Sequence, residues 1–261
     1  MRIFDSHCHL DDDLYSQDMD AVIHRAHEAD VMGMMVVGLG IQGGQRAIDL
    51  AAQYSGVYIA VGIHPHDAQT CDEQTLTTLS SFCQNPKVRA WGETGLDFNR
   101  MHSPRGEQEK WFKKQLDTAA ELDLPMIFHE RDSQGRFLEI LRSRWHPNRL
   151  GVVHCFSGSD AELDAYIELG LYIGITGILT VKGRGRDLRR QVKRIPLDRL
   201  LVETDAPYLV PAPEKNHCRR NEPAFVKSVM LKLAEVREED PDQLAETIWQ
   251  NTCRLYGLDD G

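Results

Sequence analysis

The sequence predicts an α/β fold, a single (β/α)8 barrel of the TIM type, on three observations. Its 261 residues are close to the roughly 250 that such a barrel needs. Short apolar runs alternate with amphipathic segments, which favours parallel strands joined by helices. The runs are continuously apolar, which indicates strands buried on both faces. Eight such units favour a closed barrel over an open doubly wound sheet, and we expect one domain over residues 1–261.

Each predicted element follows from its local pattern. The apolar runs predict eight strands: Arg2–Asp5, Met34–Gly38, Tyr58–Ile63, Ala90–Gly92, Met126–Phe128, Gly151–Val153, Tyr172–Ile175 and Leu200–Val202. Helical periodicity predicts nine helices: Asp18–Glu28, Gln45–Tyr54, Gln74–Cys83, Gly106–Leu122, Ser133–Arg144, Ala161–Leu169, Leu188–Arg194, Ala224–Val236 and Asp242–Tyr256. The glycine-rich stretch Gly38–Gly44 matches neither G-x-G-x-x-G nor a P-loop, so we interpret it as a turn.

Charge and cysteine content limit the classes of function. The chain has 30 Lys and Arg against 40 Asp and Glu, a net charge of −10, which argues against a large sequence-independent grip on nucleic acid. The net charge is compatible with an enzyme that binds one phosphodiester end through metals and a few cationic side chains. No signal peptide or apolar run of about 20 residues is evident. Because the six cysteines are scattered without a C-x-x-C pair, we expect free thiols in the cytoplasm. We also expect a monomer.

The residues at the predicted strand ends are unusual. In a parallel barrel, chemistry concentrates at the carboxyl ends of the strands. Six of the 11 histidines fall at such ends: His7, His9, His64, His66, His129 and His154. His7 and His9 are two apart on a strand and therefore point to the same side. The carboxylates Glu93 and Asp205 end two further strands.

These residue types predict a metal centre. Imidazole and carboxylate are the usual ligands of zinc, manganese and similar ions. We expect two divalent ions, Mg, Mn or Zn, with Glu93 able to touch both. The alternative is a buried polar network at the barrel mouth. The predicted ligands are His7, His9, Glu93, His129, His154 and Asp205.

Two metals suit hydrolysis by an activated water. Asp205 is the candidate base for that water, or it serves as a ligand alone, while Glu93 completes the catalytic pair. A serine nucleophile is a poorer interpretation because no G-x-S-x-G elbow is present. An anionic substrate group would meet cations near the top face, in the basic segments Lys182–Arg194 and Lys215–Arg220, and guanidinium suits phosphate geometry. The predicted substrate contacts are His64, Arg131, Ser157 and Arg220.

Several motifs in order give a family resemblance: FDSHCHLD (residues 4–11), GETGLD (92–97), HERD (129–132), HCFSG (154–158) and ETDAP (203–207). With them the chain resembles the TatD family of metal-dependent deoxyribonucleases over essentially its whole length. The resemblance implies a barrel of the amidohydrolase-like kind, divalent metals, and DNA, single-stranded or at its ends, as substrate. It also implies that His7, His9, Glu93 and Asp205 hold one metal, and that Glu93, His129 and His154 hold the other.

Two alternatives stay open at this point. The same metal architecture could hydrolyse small esters, lactones or phosphate esters, since this barrel hosts many chemistries. A metal-bound regulatory barrel without catalysis is less favoured, because the ligand set includes a candidate base.

Overall fold

Eight parallel strands form one sheet in chain order, seen in a computed structural model that describes residues 1–146 and 148–259. A bridge between Cys8 and Ala206 joins the first strand to the segment that follows the last one, so the sheet closes into the predicted barrel. Residues 260–261 of the expected single domain lie outside the described residues. The strands are β1 (Ile3–Cys8), β2 (Val31–Leu39), β3 (Val57–Gly62), β4 (Val88–Asp97), β5 (Met126–Arg131), β6 (Gly151–Val153), β7 (Tyr172–Ile175) and β8 (Leu200–Val202).

Helices lie between the strands and after the last of them. Local capping fixes where several begin: the Asp72 side chain accepts the backbone N–H of Thr75 before α3, and Ser159 and Glu162 form a reciprocal cap before α6, which satisfies otherwise unpaired donors. Within the described ranges, we find no helix with the length and hydrophobicity to span a membrane. The helices are α1 (Met19–Glu28), α2 (Gly40–Gln53), α3 (Glu73–Phe82), α4 (Arg105–Glu121), α5 (Arg136–Arg144), α6 (Asp160–Glu168), α7 (Arg186–Gln191), α8 (Val226–Arg237) and α9 (Pro241–Tyr256).

The predicted extent of the fourth strand is wrong. The sequence predicts Ala90–Gly92, whereas β4 runs over ten residues from Val88 to Asp97. Polar residues interrupt its apolar run, and sequence periodicity therefore misses them. They are nevertheless buried in the strand, because the mouth of this barrel is lined by polar side chains.

The interpretation of Gly38–Gly44 as a turn is also wrong, since α2 begins at Gly40. The glycines allow this first helical turn to pack directly on the end of β2. A Cβ atom on Gly38 would lie 2.6 Å from the carbonyl oxygen of Gly43, closer than real Cβ atoms approach. The absence of side chains here serves close packing between strand and helix.

The barrel interior below the mouth is filled by one apolar layer. Side chains alternate between the interior and the helix-facing surface along a strand, and one or two from each strand belong to this layer. It comprises Phe4, Met35, Val37, Ala60, Ala90, Ile127, Val152, Tyr172 and Leu201, all buried. Leu255 and Tyr256 of α9 pack against the same layer. The last helix therefore covers the end of the barrel that lies opposite the polar mouth.

Two bulges change which side chains enter the mouth. The pairing of β1 with β2 gains one residue between Asp5 and Cys8, and that of β4 with β5 gains one between Gly92 and Thr94. An extra residue reverses the in-and-out alternation beyond it. Phe4 in the apolar layer and His7 in the mouth therefore both face inward, although they are three residues apart.

The close approach of β3 and β4 gives a stability prediction. A Cβ atom on Gly62 would lie 2.7 Å from the Gly92 backbone, so Gly62→Ala should destabilise the protein by about 1–3 kcal/mol, as overpacking does. Gly106→Ala is the matched control, because nothing lies within 4 Å of that position in α4 and alanine favours helix. Urea unfolding midpoints measure both, and a Gly62→Ala midpoint equal to that of wild type would contradict the close approach.

Candidate metal centre

The six predicted metal ligands lie together at the carboxyl end of the barrel. Their positions follow from the parallel sheet, which brings all strand ends to one face. Glu93 is buried at the centre of the cluster, and each of its oxygens faces different rings. Oε2 is 3.3 Å from His7 Nε2 and 3.8 Å from His9 Nε2. Oε1 is 2.6 Å from both His129 Nδ1 and His154 Nε2.

Asp205 lies on the same side of Glu93 as His7 and His9. Its Oδ1 lies 3.7 Å from His7 Nε2 and 3.6 Å from His9 Nε2. The backbone holds it there, because the Asp205 N–H donates to the His7 carbonyl at 2.9 Å. Asp205 has a φ of 57°, a left-handed conformation that aspartate adopts more readily than most residues. The chain turns at this point so that the carboxylate reaches the mouth.

The donor atoms fit divalent cations. Three groups of nitrogen and oxygen donors each lie within 4.8 Å of one another: His7, His154 and Asp205; His7, His9 and Glu93; His64, Glu93 and His129. Neutral imidazole and carboxylate are the ligands that zinc, manganese and similar ions take. The residues at the mouth therefore fit divalent-metal binding.

Hydrogen bonds orient two of the rings for this role. Nδ1–H of His9 donates to the Val37 carbonyl at 3.0 Å, which leaves Nε2 as the lone-pair nitrogen facing Glu93. Nε2–H of His129 donates to Asp97 at 3.3 Å, which leaves Nδ1 facing the same carboxylate. A partner on the second nitrogen is the usual way that proteins fix a metal-binding tautomer.

His64, predicted to contact substrate, lies inside the cluster. Its Nε2 is 3.4 Å from Glu93 Oε1 and 3.3 Å from His129 Nδ1. Its Nδ1 accepts the backbone N–H of His66 at 3.1 Å, so the neutral ring carries its proton on Nε2. Burial lowers the pKa of His64 to about 4, which keeps the ring neutral. His64 is therefore arranged as a hydrogen-bond donor into the mouth.

The charges of the cluster balance one another. Burial alone would raise the pKa of Glu93, but His154, His64 and the hydrogen bond from His129 hold it well below its ordinary value. Burial would lower the pKa of His9, yet the Asp205 carboxylate overrides this effect and raises it to about 9. At neutral pH without metal, His9 is therefore positively charged, with a second proton on Nε2. Cation binding must displace it and should strengthen as pH rises toward 9.

Sequence reasoning assigned no role to two carboxylates that support the cluster. Asp97 accepts from His129 and, at 2.8 Å, from His66 Nε2, and these hydrogen bonds outweigh its burial and hold its pKa below the ordinary range. Glu203 accepts the Cys155 N–H at 2.5 Å and lies 3.6 Å from His154 Nδ1. Both residues belong to the strand-end motifs. Asp97 is four residues after Glu93, and Glu203 is two residues before Asp205, so nearness to a predicted ligand in the sequence was the available signal.

A cavity of about 1170 Å³ opens above the cluster. This volume exceeds the 300–1,000 Å³ typical of a small-molecule site. Of the predicted substrate contacts, His64, Arg131 and Ser157 line it. Three arginines on the wall have no hydrogen-bond or ion-pair partner for their guanidinium groups among residues 1–146 and 148–259: Arg100, Arg131 and Arg184.

Arg220 lies elsewhere. It is paired with Asp18 at 2.7 Å, stacks over the Tyr15 ring, and is absent from the described cavity wall. The structure thus does not bring this predicted contact to the site, because its charge stabilises a loop instead.

The basic segment Lys182–Arg194 is also largely engaged within the protein. Arg190 pairs with Asp160, Arg194 with Asp164, and Arg189 donates to backbone carbonyls. From this segment, Arg184 is the described residue that reaches the cavity wall.

The chain is similar to known proteins over nearly its whole length. Residues 4–257 match the family described as TatD related DNase. A protein of Citrobacter koseri named 3'-5' ssDNA/RNA exonuclease TatD is 40% identical over 259 residues, which cover 98% of this chain and 99% of that protein. A protein of Klebsiella pneumoniae with the same name is 39% identical over 259 residues, covering 98% of each chain.

Solved structures agree as well. The TatD homologue YJJV of Escherichia coli superposes with a TM-score of 0.91 at 31% identity, covering 99% of both chains. The phosphotriesterase homology protein of Escherichia coli, with phosphate in its active site, gives a TM-score of 0.70 at 14% identity, covering 98% of both chains. This second likeness concerns the fold alone.

The contact between Asp97 and His129 gives a prediction about metal affinity. Asp97→Asn should weaken divalent-metal binding by about 10–100-fold, the usual cost of removing a partner that orients a ligand. Asp67→Asn removes the same charge from the same cavity wall without touching His129 and serves as the control. Competition with a chromophoric chelator measures both affinities, and equal values would refute the orienting role of Asp97.

Proposed function

This chain belongs to the family of TatD-related DNases, and from that premise we propose that it is a divalent-metal-dependent exonuclease. It hydrolyses phosphodiester bonds at the 3′ end of single-stranded DNA or RNA, as the names of its curated relatives state for those proteins. The observation that carries the proposal is Glu93, whose two oxygens face two separate sets of metal-binding rings.

Two ions would be held by the predicted ligands. His7, His9, Glu93 and Asp205 suit one ion, and Glu93, His129 and His154 suit the other, with Mg, Mn or Zn as candidates. Such ions polarise the scissile phosphate and lower the pKa of a bound water.

The side chains of this chain perform the remaining steps. Hydrogen bonding from His9 and the nearby charges of His154 and His7 outweigh burial and lower the pKa of Asp205, so its carboxylate is ionised at neutral pH. Asp205 accepts a proton from the water that attacks phosphorus. His64 donates its Nε2–H to a phosphate oxygen. The phosphodiester P–O bond then breaks, and the phosphate stays on the released nucleotide. The leaving oxygen of the shortened strand takes up the proton that Asp205 accepted, which returns the Asp205 carboxylate to its ionised form.

The alternative, a hydrolase of small esters, lactones or phosphate esters, is not favoured. A small substrate, neutral or with a single phosphate, would not need three guanidinium groups that lack a partner among the described residues, on a wall of this size. We also propose that the enzyme acts as a single-domain monomer. A cytoplasmic location agrees with the six cysteines, none of which forms a disulfide bond within the described ranges.

A substrate panel tests the function. Metal-depleted protein, with and without added Mg, Mn or Zn, is assayed on 5′-labelled single-stranded DNA, RNA, p-nitrophenyl phosphate and lactones. We expect metal-dependent shortening of the labelled strands.

Asp205→Asn should lower kcat by about 10²–10⁴ with little change in KM, because the amide cannot accept a proton. Full hydrolysis after thorough metal depletion, or an unchanged kcat for Asp205→Asn, would contradict the mechanism.

The salt dependence of KM tests how the acidic protein holds a polyanion. Each phosphate neutralised contributes about −0.7 to the slope of log affinity against log salt for single strands. The cavity arginines predict a shallow slope, equivalent to roughly two or three phosphates. Arg131→Ala should reduce the slope by about one contact, whereas Arg220→Ala, outside the cavity wall, should leave it unchanged. A steep slope, or equal effects of the two variants, would show that binding uses another surface.

A further inference from the structure

Tyr208 is a large aromatic side chain left uncovered on the cavity wall. It is 56% exposed, and its ring centroid lies 6.2 Å from that of His9. The backbone around it is fixed, since its N–H donates to the Asp205 carbonyl at 2.8 Å and its own carbonyl accepts from Asn221. A rigidly placed, exposed ring beside the metal ligands presents a flat face to whatever enters the cavity.

The charges on the cavity wall are unevenly distributed. Asp11 and Asp12 follow β1 and stand with Tyr208, which follows β8. Arg100 follows β4, and Arg131 is the last residue of β5. In a closed barrel of eight strands, these two regions lie across the mouth from each other. The acidic side, with Asp11, Asp12 and the Tyr208 ring, thus faces Arg100 and Arg131 across the metal ligands. Arg184, which follows β7, borders the acidic side.

The acidic side contains one uncompensated carboxylate. Asp11 lies 3.4 Å from the Arg46 guanidinium, which offsets its charge. Asp12 accepts the backbone N–H of Leu14 at 2.8 Å and has no cationic partner among the residues that the structure describes. A phosphate that passed this point would meet an unscreened negative charge, whereas a sugar hydroxyl would find a hydrogen-bond acceptor.

We propose that this side is the subsite for the terminal nucleotide, with Tyr208 stacked on its base and Asp12 facing its free 3′-hydroxyl. The inference rests on the proposed exonuclease function and deepens it. The rest of the strand, with its phosphates, lies on the side of Arg100 and Arg131. Selection for a chain end thus comes from stacking and charge, because an internal nucleotide would place a further phosphate against Asp12.

Stacking is tested with two oligonucleotides that differ in the terminal base. One carries a normal 3′ nucleotide and the other an abasic one. Wild type should prefer the normal end in kcat/KM by roughly 5- to 100-fold, the range that loss of one base–aromatic stack gives. Tyr208→Ala should lose most of this preference, and Tyr208→Phe should keep it. An undiminished preference in Tyr208→Ala would overturn the stacking role.

A second pair of oligonucleotides tests whether Asp12 disfavours a phosphate at the 3′ end. Wild type should cleave a 3′-phosphorylated oligonucleotide roughly fivefold or more slowly than its 3′-hydroxyl counterpart, because two nearby like charges repel. Asp12→Asn retains an oxygen for the Leu14 N–H and should narrow that difference. Asp13→Asn, exposed and outside the described wall, should not. Equal discrimination in wild type and Asp12→Asn would overturn the role of Asp12.

Failure of the underlying function gives a different result from either of these. If wild type hydrolysed p-nitrophenyl phosphate but neither oligonucleotide, the exonuclease assignment would fail and this subsite with it. If wild type shortened the normal and abasic oligonucleotides at one rate, and likewise the 3′-hydroxyl and 3′-phosphorylated ones, the exonuclease assignment would stand and the subsite would be wrong.

Discussion

The buried Glu93 carboxylate is the constraint around which the barrel mouth is arranged. An ionised carboxylate removed from water is very unfavourable unless charges and hydrogen bonds compensate it. The rings around it supply that compensation from the ends of different strands, and they are in turn held by the Val37 carbonyl and by Asp97. Barrel closure, ring orientation and cation affinity therefore depend on one another, because each sets the position of the same few atoms.

The polar mouth and the apolar interior make opposite demands on the same strands. Below the mouth, each strand contributes apolar side chains to a dry layer, whereas above it the strands must turn polar groups inward. In β1 and in β4, a bulge lies between the residues of the apolar layer and those of the polar mouth. Stability is thus concentrated at one end of the barrel and chemistry at the other, which is the usual division in this fold.

Much of this arrangement could be predicted from the sequence, because parallel strands bring their carboxyl ends to one face. That rule alone placed His7, Glu93 and Asp205 together. It could not reveal which cations are already paired. Arg220 was therefore expected at the cavity although it pairs with Asp18, and Arg100, which lines the cavity wall, received no prediction. Periodicity also fails where polar residues continue a buried strand, as in β4, and where glycines start a helix, as in α2. These features depend on tertiary contacts that no local pattern encodes.

The junction of β1 with the segment after β8 has a consequence for biosynthesis. His7 is synthesised well before Asp205, whose N–H donates to the His7 carbonyl in the folded barrel. At roughly 5–20 residues per second, that interval is on the order of 10–40 s. Throughout it, His7 and His9 lack the carboxylate that lies beside them in the folded barrel. The cluster therefore cannot be complete until the segment after β8 has been synthesised, so its assembly must follow that of the strands that carry the histidines.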